Sequence, residues 1–445
     1  MTEKDNSQMD KANKPGQDAL KLHPFYQGKV EVVPKACVRN YDDFAIWYSP
    51  GVAEPCKAIA ENPDEVYRQT NKANFVAVVS DGTRVLGLGD IGAEASMPVM
   101  EGKALLFKYL GAVDAFPICV DTKDPEELIN FVKLLQPTFG GVNLEDIASP
   151  KCFYVLDRLR EECHIPVWHD DQQGTALVTL AGLINALKIV GKKMSEAKIV
   201  LVGSGAANIC TARLFLSTDI DPKNMLMVDS KGILHEGRDD LKDHAQKWEL
   251  VQKTNGEGKT GGVEEAMEGA DVVIGLSKPG PGTIKKEWIE KMADDAIVFA
   301  CANPVPEIWP WEAQEAGAKI VATGRSDFAN QVNNSLGFPA IFRGVLDVAA
   351  TTITDGMCIA AAEELAQCSA DKQLDPEKII PVMSDWETFP RVATATAMKA
   401  IEEGVARKKL SRDEVYKRAE KLIKRSQDIT KVMMEKDFIP EAPED

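Results

Sequence analysis

From Lys198 onward the chain alternates short, strongly apolar runs with stretches of helical spacing, and few folds accommodate that rhythm. Lys198–Val202, Met225–Val228, Asp271–Ile274, Ile297–Ala300 and Lys319–Ala322 read as buried strands, with helical patterns at Ala206–Ser217, Val263–Gly269 and Glu312–Ala316 between them. Alternating units of this length imply α/β architecture with a doubly wound, mostly parallel sheet. Where the first strand meets the first helix stands Val202-Gly203-Ser204-Gly205-Ala206-Ala207-Asn208. Gly203 permits a tight turn, and Gly205 lets backbone meet a pyrophosphate at the helix start formed by Ala206. Asn208 replaces the usual third small residue, so the fingerprint is incomplete. Asp229 ends the second strand, where a carboxylate accepts hydrogen bonds from the adenosine ribose of NAD; Lys231 could instead neutralise the 2′-phosphate of NADP. Between the two cofactors the residues leave the choice open, and a plain β-turn at Asp229–Gly232 suits either.

Upstream the pattern is mixed. Phe75–Val79 and Ala115–Val120 lean toward strands, while Met100–Tyr109 and Pro125–Leu135 have helical spacing. Val85–Gly92 is too rich in glycine for a packed strand and reads as a loop where backbone approaches something closely. Two acidic clusters, Asn143-Leu144-Glu145-Asp146 and His169-Asp170-Asp171, each follow a short apolar stretch, Thr138–Val142 and Ile165–Trp168. Carboxylates just past strand ends point into the crevice where open α/β sheets bind ligands. Four of them together would repel strongly unless a hard divalent cation sat among them. Either cluster alone would pass for a loop with helix N-caps. Together, just ahead of a dinucleotide motif, they favour a Mg²⁺ or Mn²⁺ site.

The formal net charge of −17 over 445 residues argues against nucleic acid or an anionic membrane as partner. An anionic substrate would have to meet locally placed cations, which singles out Arg84 in Asp81-Gly82-Thr83-Arg84 and Lys103 in Glu101-Gly102-Lys103. Arg84 suits bidentate capture of a carboxylate. A Tyr and a Lys beside a metal can serve as acid and base, which draws in Tyr48 of Tyr48-Ser-Pro-Gly-Val52; by spacing alone these roles stay open, since Pro-Gly turns are common. Asn303 and Asn334 follow late strand candidates and suit a carboxylate or amide ligand, or simple Asx turns. An all-oxygen site leaves His169 a supporting or capping part.

Nine cysteines without a C-x-x-C pair suit a reducing compartment, and a cytoplasmic location is expected. No signal-peptide core or membrane span is evident. The expected organisation is a disordered tail over 1–20, an N-terminal substrate and catalytic domain over 21–172, a dinucleotide-binding domain over 173–391, and a C-terminal helical segment over 392–445. Val392–Lys436 reads as a solvated amphipathic cap.

Seven collinear stretches over residues 40 to 345 resemble a malic enzyme of the short bacterial and archaeal form. They are Tyr48–Cys56, Ser80–Gly92, Pro98–Lys103, Asn143–Ile147, His169–Ala176, Phe299–Pro304 and Ala322–Asn334. The resemblance implies a mixed α/β N-terminal domain of malic-enzyme type, a Rossmann-type dinucleotide-binding domain and C-terminal helices. It implies oxidative decarboxylation of L-malate to pyruvate and CO₂ with NAD or NADP and Mg²⁺ or Mn²⁺. Carried over, Tyr48 is the general acid, Lys103 the general base, and Asp170 orients Lys103. Glu145, Asp146 and Asp171 ligate the metal. Arg84, Asn303 and Asn334 contact substrate; Arg84 and Asn303 also touch the dinucleotide held by Gly203, Gly205, Ala206, Asp229 and Lys231. The resemblance also implies a homodimer, with residues exchanged between active sites. Gln173 stands where some short-form relatives have His. Malolactic decarboxylation with bound NAD is chemically adjacent, and a non-catalytic nucleotide-binding homologue is the alternative from another class. A plain hydroxy-acid dehydrogenase fits poorly, because it needs a His base and only five His occur.

Overall fold

The computed structural model describes residues 3–325 and 327–443. Its first sheet contains β1 (Phe75–Ser80), β2 (Asp114–Cys119), β3 (Gly141–Leu144) and β4 (Val167–His169), all parallel in the order β2-β1-β3-β4. The β-branched run of β1 is buried from Val76 to Val79, as expected of a central parallel strand covered on both faces. Val79 pairs with Leu144 and Leu144 with His169, so the chain leaves β3 at Glu145 and β4 at Asp170 along one sheet edge. That register is what brings the two acidic clusters together.

The second sheet contains β5 (Ile199–Val202), β6 (Met225–Asp229), β7 (Gly232–Ile233), β8 (Val272–Gly275), β9 (Ile297–Ala300) and β10 (Ile320–Thr323). Its order is β10-β9-β8-β5-β6-β7, parallel throughout except for β7. The five expected strands are present within a residue or so, and β7 folds back through the turn after Asp229. Gly232 is needed there: its φ is +114°, and a Cβ would lie 2.4 Å from the Gly261 carbonyl oxygen. Strand order reverses between β5 and β8, the switch point at which doubly wound sheets open a crevice.

Three expectations need correction. Most of the supposedly disordered tail lies in a helix, Glu3–Tyr26. Low apolar content rules out a packed core but not a helix built from Lys, Gln, Asp and Ala. The boundary placed between 391 and 392 falls inside the helix Thr388–Glu402. That helix is no solvated cap either, since Val392 to Ala397 are buried. Its small residues allow close approach, and a Cβ on Gly344 would lie 2.4 Å from the Ala393 carbonyl oxygen. Only Arg412–Glu435 matches the amphipathic expectation, burying Val415, Ala419, Ile423 and Ser426 on one stripe.

The late helices bind the two sheets into one body. Phe338–Asp347 and Arg412–Glu435 pack against Ala93–Gly111 of the first unit, and Asp355–Ala370 packs against Thr175–Ile189. Phe107 meets Phe338 and Phe342 edge-on, with centroids 4.7 and 5.1 Å apart. Beside them the buried Arg343 donates to Asn74 Oδ1 (2.6 Å) and Asp347 Oδ1 (2.8 Å). Among the described residues no helix is long and apolar enough to cross a membrane.

Candidate active site

Glu145, Asp146 and Asp171 each bring a carboxylate oxygen within 4.8 Å of the others. Backbone and neighbours fix them in place. Asn143 Nδ2 donates to Glu145 Oε2 (2.8 Å), Leu86 N to Asp146 Oδ1 (3.3 Å), and Asp146 N to Asp171 Oδ2 (2.9 Å). Asp146 adopts φ +55°, a left-handed conformation uncommon outside Gly, Asn and Asp, which turns the chain sharply at the site.

Helix Ala93–Gly111 buries Met100, Ala104 and Phe107 and carries Lys103 into this group. Lys103 Nζ donates to Asp170 Oδ2 (2.5 Å), lies 3.0 Å from Glu145 Oε1, and sits 4.4 Å from the centre of the Phe338 ring. Asp170 is held on every side. Trp168 Nε1 donates to its Oδ1 (3.1 Å), and Asn334 Nδ2 donates to its Oδ2 and backbone oxygen (both 3.1 Å). Asp170–Gly174 forms one turn of π-helix leading into Thr175–Ile189, a widened turn often found at functional sites. It closes only with Gly at 174, where a Cβ would lie 2.0 Å from Asp170 Oδ1.

The charges are badly matched. Burial raises the Glu145 carboxyl well above its usual range; Lys103 works against this, while Asp171, Asp170 and Asp146 add to it. Burial, then the Asp171 charge, push Asp146 up to about 7, and its Oδ2 is buried with no hydrogen-bond partner among the described residues. Burial alone would lower the Lys103 ammonium, but Asp170 and Glu145 more than offset it and the net shift is upward. An orphaned carboxylate oxygen among repelling acids fits a divalent cation, and a purely oxygen donor set fits Mg²⁺ or Mn²⁺.

The other expected residues divide. Arg84 is exposed at the rim; its backbone N donates to the Asp146 carbonyl (2.9 Å) and its charge bears on Asp146. Asn334 was expected to face substrate, yet within this chain its amide serves Asp170. Asn303 lies at the seam with the glycine-rich loop, since a Cβ on Gly87 would come 2.7 Å from its carbonyl oxygen. That is the close approach the loop composition predicted. Tyr48 is 75% exposed, and among the described residues no hydrogen bond or ion pair ties its side chain to Lys103 or the carboxylates. His169 makes no side-chain cap: it is fully buried, both ring nitrogens lack hydrogen-bond partners among the described residues, and Nδ1 lies 3.6 Å from Asp171 Oδ2.

At the second sheet Gly203 has φ +99°, and a Cβ there would sit 2.8 Å from the Leu276 carbonyl oxygen; Gly205 faces open space ahead of helix Ala206–Phe215. Asn208 explains its own departure from the fingerprint. Its Nδ2 donates to the Val202 and Gly203 carbonyls (2.9 and 3.0 Å), fastening the turn it would otherwise leave loose. The turn after β6 contains the expected Asp229 and Lys231, but the structure adds Arg238 and Lys247 around them. Neither belongs to a motif, and no local signal marks them. The buried Glu307 was missed as well. It accepts from Ser277 N and Ala302 N (both 3.0 Å), fastening together the loops after β8 and β9.

Proteins of similar sequence are malic enzymes. A bifunctional malic/malolactic enzyme of Bacillus subtilis is 51% identical, over 91% of this chain and 98% of its own length. A NAD-dependent malic enzyme of Geobacillus stearothermophilus is 51% identical over 86% of this chain and 78% of its own. A NADP-dependent malic enzyme of Rhizobium meliloti is 44% identical over 90% of this chain, which spans 54% of that longer protein. The crystal structure of Entamoeba histolytica malic enzyme matches with a TM-score of 0.96 at 47% identity, covering 100% of this chain and 93% of that one. Residues 27–160 match the malic enzyme N-terminal domain and residues 172–402 the malic enzyme NAD binding domain, so the chain belongs to the malic enzyme family.

Proposed function

We propose that the crevice around Lys103 carries out oxidative decarboxylation of L-malate to pyruvate and CO₂, with Glu145, Asp146 and Asp171 as ligands for Mg²⁺ or Mn²⁺. When bound, the cation would supply the electrophile that draws electron density onto the C2 oxygen, while the nicotinamide takes the C2 hydride. Lys103 is the base for the C2 hydroxyl proton. Its ammonium is held by Asp170 and Glu145, so engaging Glu145 as a metal ligand removes one of the two charges that keep the proton on Nζ. Asp170, itself gripped by Trp168 and Asn334, keeps Nζ in place throughout. Arg84 at the rim offers the guanidinium for a substrate carboxylate. The observation that carries this reading is the convergence of three carboxylates from two strand ends on one buried lysine. Initial rates with malate and Mn²⁺ test it; absence of malate-dependent reduction of either nicotinamide cofactor would refute it. The malolactic reaction is the second reading, favoured by the name of the Bacillus subtilis relative, and lactate rather than pyruvate as product would identify it.

Protonating C3 of the enolate needs an acid, and Tyr48 reaches the crevice only across a subunit boundary in this reading. Val32, Val33, Val38, Tyr41, Phe44, Ile46, Trp47 and Tyr48 are all exposed, more apolar surface than a monomer ordinarily leaves open. A homodimer would cover this segment and supply Tyr48 in trans. Dimers formed by mixing inactive Tyr48→Phe and Lys103→Ala chains should regain activity, because one of their two crevices is intact. No regain in demonstrably mixed dimers would place Tyr48 in its own chain's site. Nine free thiols support a reducing compartment, the cytoplasm.

A further inference from the structure

Asp229 closes β6 where a dinucleotide-binding sheet ordinarily offers a free carboxylate to the adenosine ribose. Here that carboxylate is fully engaged. Its Oδ1 accepts from Arg238 Nη1 (2.7 Å) and Lys231 N (2.9 Å), and its Oδ2 accepts from Arg238 Nη2 (3.1 Å) and Lys247 Nζ (3.0 Å). A carboxylate has about four acceptor sites, so none is left for a ribose hydroxyl. Arg238 is equally committed. Besides Asp229 it donates to the Gly232 carbonyl (3.1 Å) and to Asp240 through Nε (3.2 Å) and Nη2 (2.9 Å).

The amines are not committed. Among the described residues Lys247 Nζ makes one hydrogen bond, to Asp229, and Lys231 Nζ makes one, to Asp240 (2.9 Å), so each ammonium keeps unused N–H donors. Three cations and two carboxylates leave a surplus positive charge in a chain whose net charge is −17. The Arg238–Asp229 pair is nearly buried, with side-chain exposures of 11% and 10%; Lys247 lies beside it at 21%, while Lys231 reaches into solvent at 66%. The arrangement lacks a free acceptor for a diol and has unspent donors for a dianion.

We propose that this malic enzyme selects the 2′-phosphorylated dinucleotide, NADP, over NAD. Lys247 and Lys231 meet the 2′-phosphate, and Arg238 is a positioning residue that withholds Asp229 from the ribose. The inference rests on the malic enzyme reading only for the presence of a dinucleotide, and its test needs neither malate nor metal. Titrating the full-length enzyme with NADPH and with NADH, followed by nicotinamide fluorescence, should give at least about tenfold tighter binding of NADPH, as expected for one or more hydrogen bonds to a charged group. Lys231→Ala/Lys247→Ala should remove that advantage and leave NADH binding within about twofold. Adenosine 2′,5′-bisphosphate should displace NADPH better than ADP does from the parent enzyme, and no better from the double variant. Equal or tighter NADH binding by the parent enzyme would overturn the proposal, as would a double variant that loses both dinucleotides equally. Should the double variant not fold, the competition between the two adenosine phosphates on the parent enzyme decides alone. A failure of malate-dependent turnover would leave all these binding results standing, so the two readings fail separately.

Discussion

Two crevices, each at the carboxyl edge of a parallel sheet, have opposite charge imbalances. Around Lys103, four carboxylates face one buried ammonium, and Asp146 keeps an oxygen without a partner. Around Asp229, three cations face two carboxylates, and every acidic oxygen is engaged. Burial raises both Asp146 and Asp229; at Asp146 the neighbouring Asp171 adds to the rise, whereas at Asp229 hydrogen bonds from Arg238, Lys231 and Lys247 reverse it. A protein that only had to be stable would have evened out both. The surplus in each crevice instead has the sign complementary to what is proposed for it: a divalent cation in one, a dinucleotide phosphate in the other.

Separating the crevices by mutation is the strongest test of the contrast. Lys103→Ala should lower turnover on the order of 10³-fold, the scale of a lost general base, while NADPH binding stays as in the parent enzyme. Near-parental turnover would end the base assignment; loss of dinucleotide binding would mean that the two crevices are not independent. A smaller effect is expected from Gly174→Ala, which touches no reacting group. Its Cβ would lie 2.0 Å from Asp170 Oδ1, and Asp170 cannot retreat because Trp168, Asn334 and Lys103 hold it. Displacing Nζ by a fraction of an ångström should cost turnover about 10²-fold with unchanged circular dichroism. A fully active, folded variant would show that Lys103 needs no such positioning.

The same contrast explains what could be read from sequence. Strands β1, β5, β6, β8 and β9 were legible because their residues must be apolar to be covered on both faces. The convergence of Glu145, Asp146 and Asp171 was legible because they sit directly beyond strand ends, so that sequence position fixes place in the fold. Arg238 and Lys247 were not, since they reach Asp229 from 9 and 18 positions away, through a loop and a helix whose path nothing local dictates. Asn334 was found, but its tie to Asp170 was not, because that partner lies 164 positions earlier. The helix Thr388–Glu402 was misjudged for a different reason: its Ala and Thr content suits either water or a tight helix contact, and only the fold decides which.

The smallest effect, and the most direct reading of the charge imbalance, concerns stability in chelator without metal. Asp146→Asn removes one of the repelling charges and should raise the melting temperature of the metal-free enzyme while abolishing the further rise that Mn²⁺ gives the parent. The gain should depend on pH. The Asp146 carboxyl stands at about 7 in the folded chain, against about 4 when unfolded, so between those values the native state holds a proton that the unfolded state lacks. The penalty of its charge is therefore complete above pH 7 and is relieved as pH falls toward 4, so the advantage of Asp146→Asn should shrink between pH 8 and pH 5. Asp229 has the opposite sign. Its folded value lies below the ordinary one, so its contribution is intact above pH 4 and is lost only in stronger acid. The cost of Asp229→Asn should accordingly stay level over the same window. Parallel pH profiles for the two variants would mean that the crevices do not differ in charge balance, and the case for a cation in one and a phosphate in the other would lose its electrostatic basis.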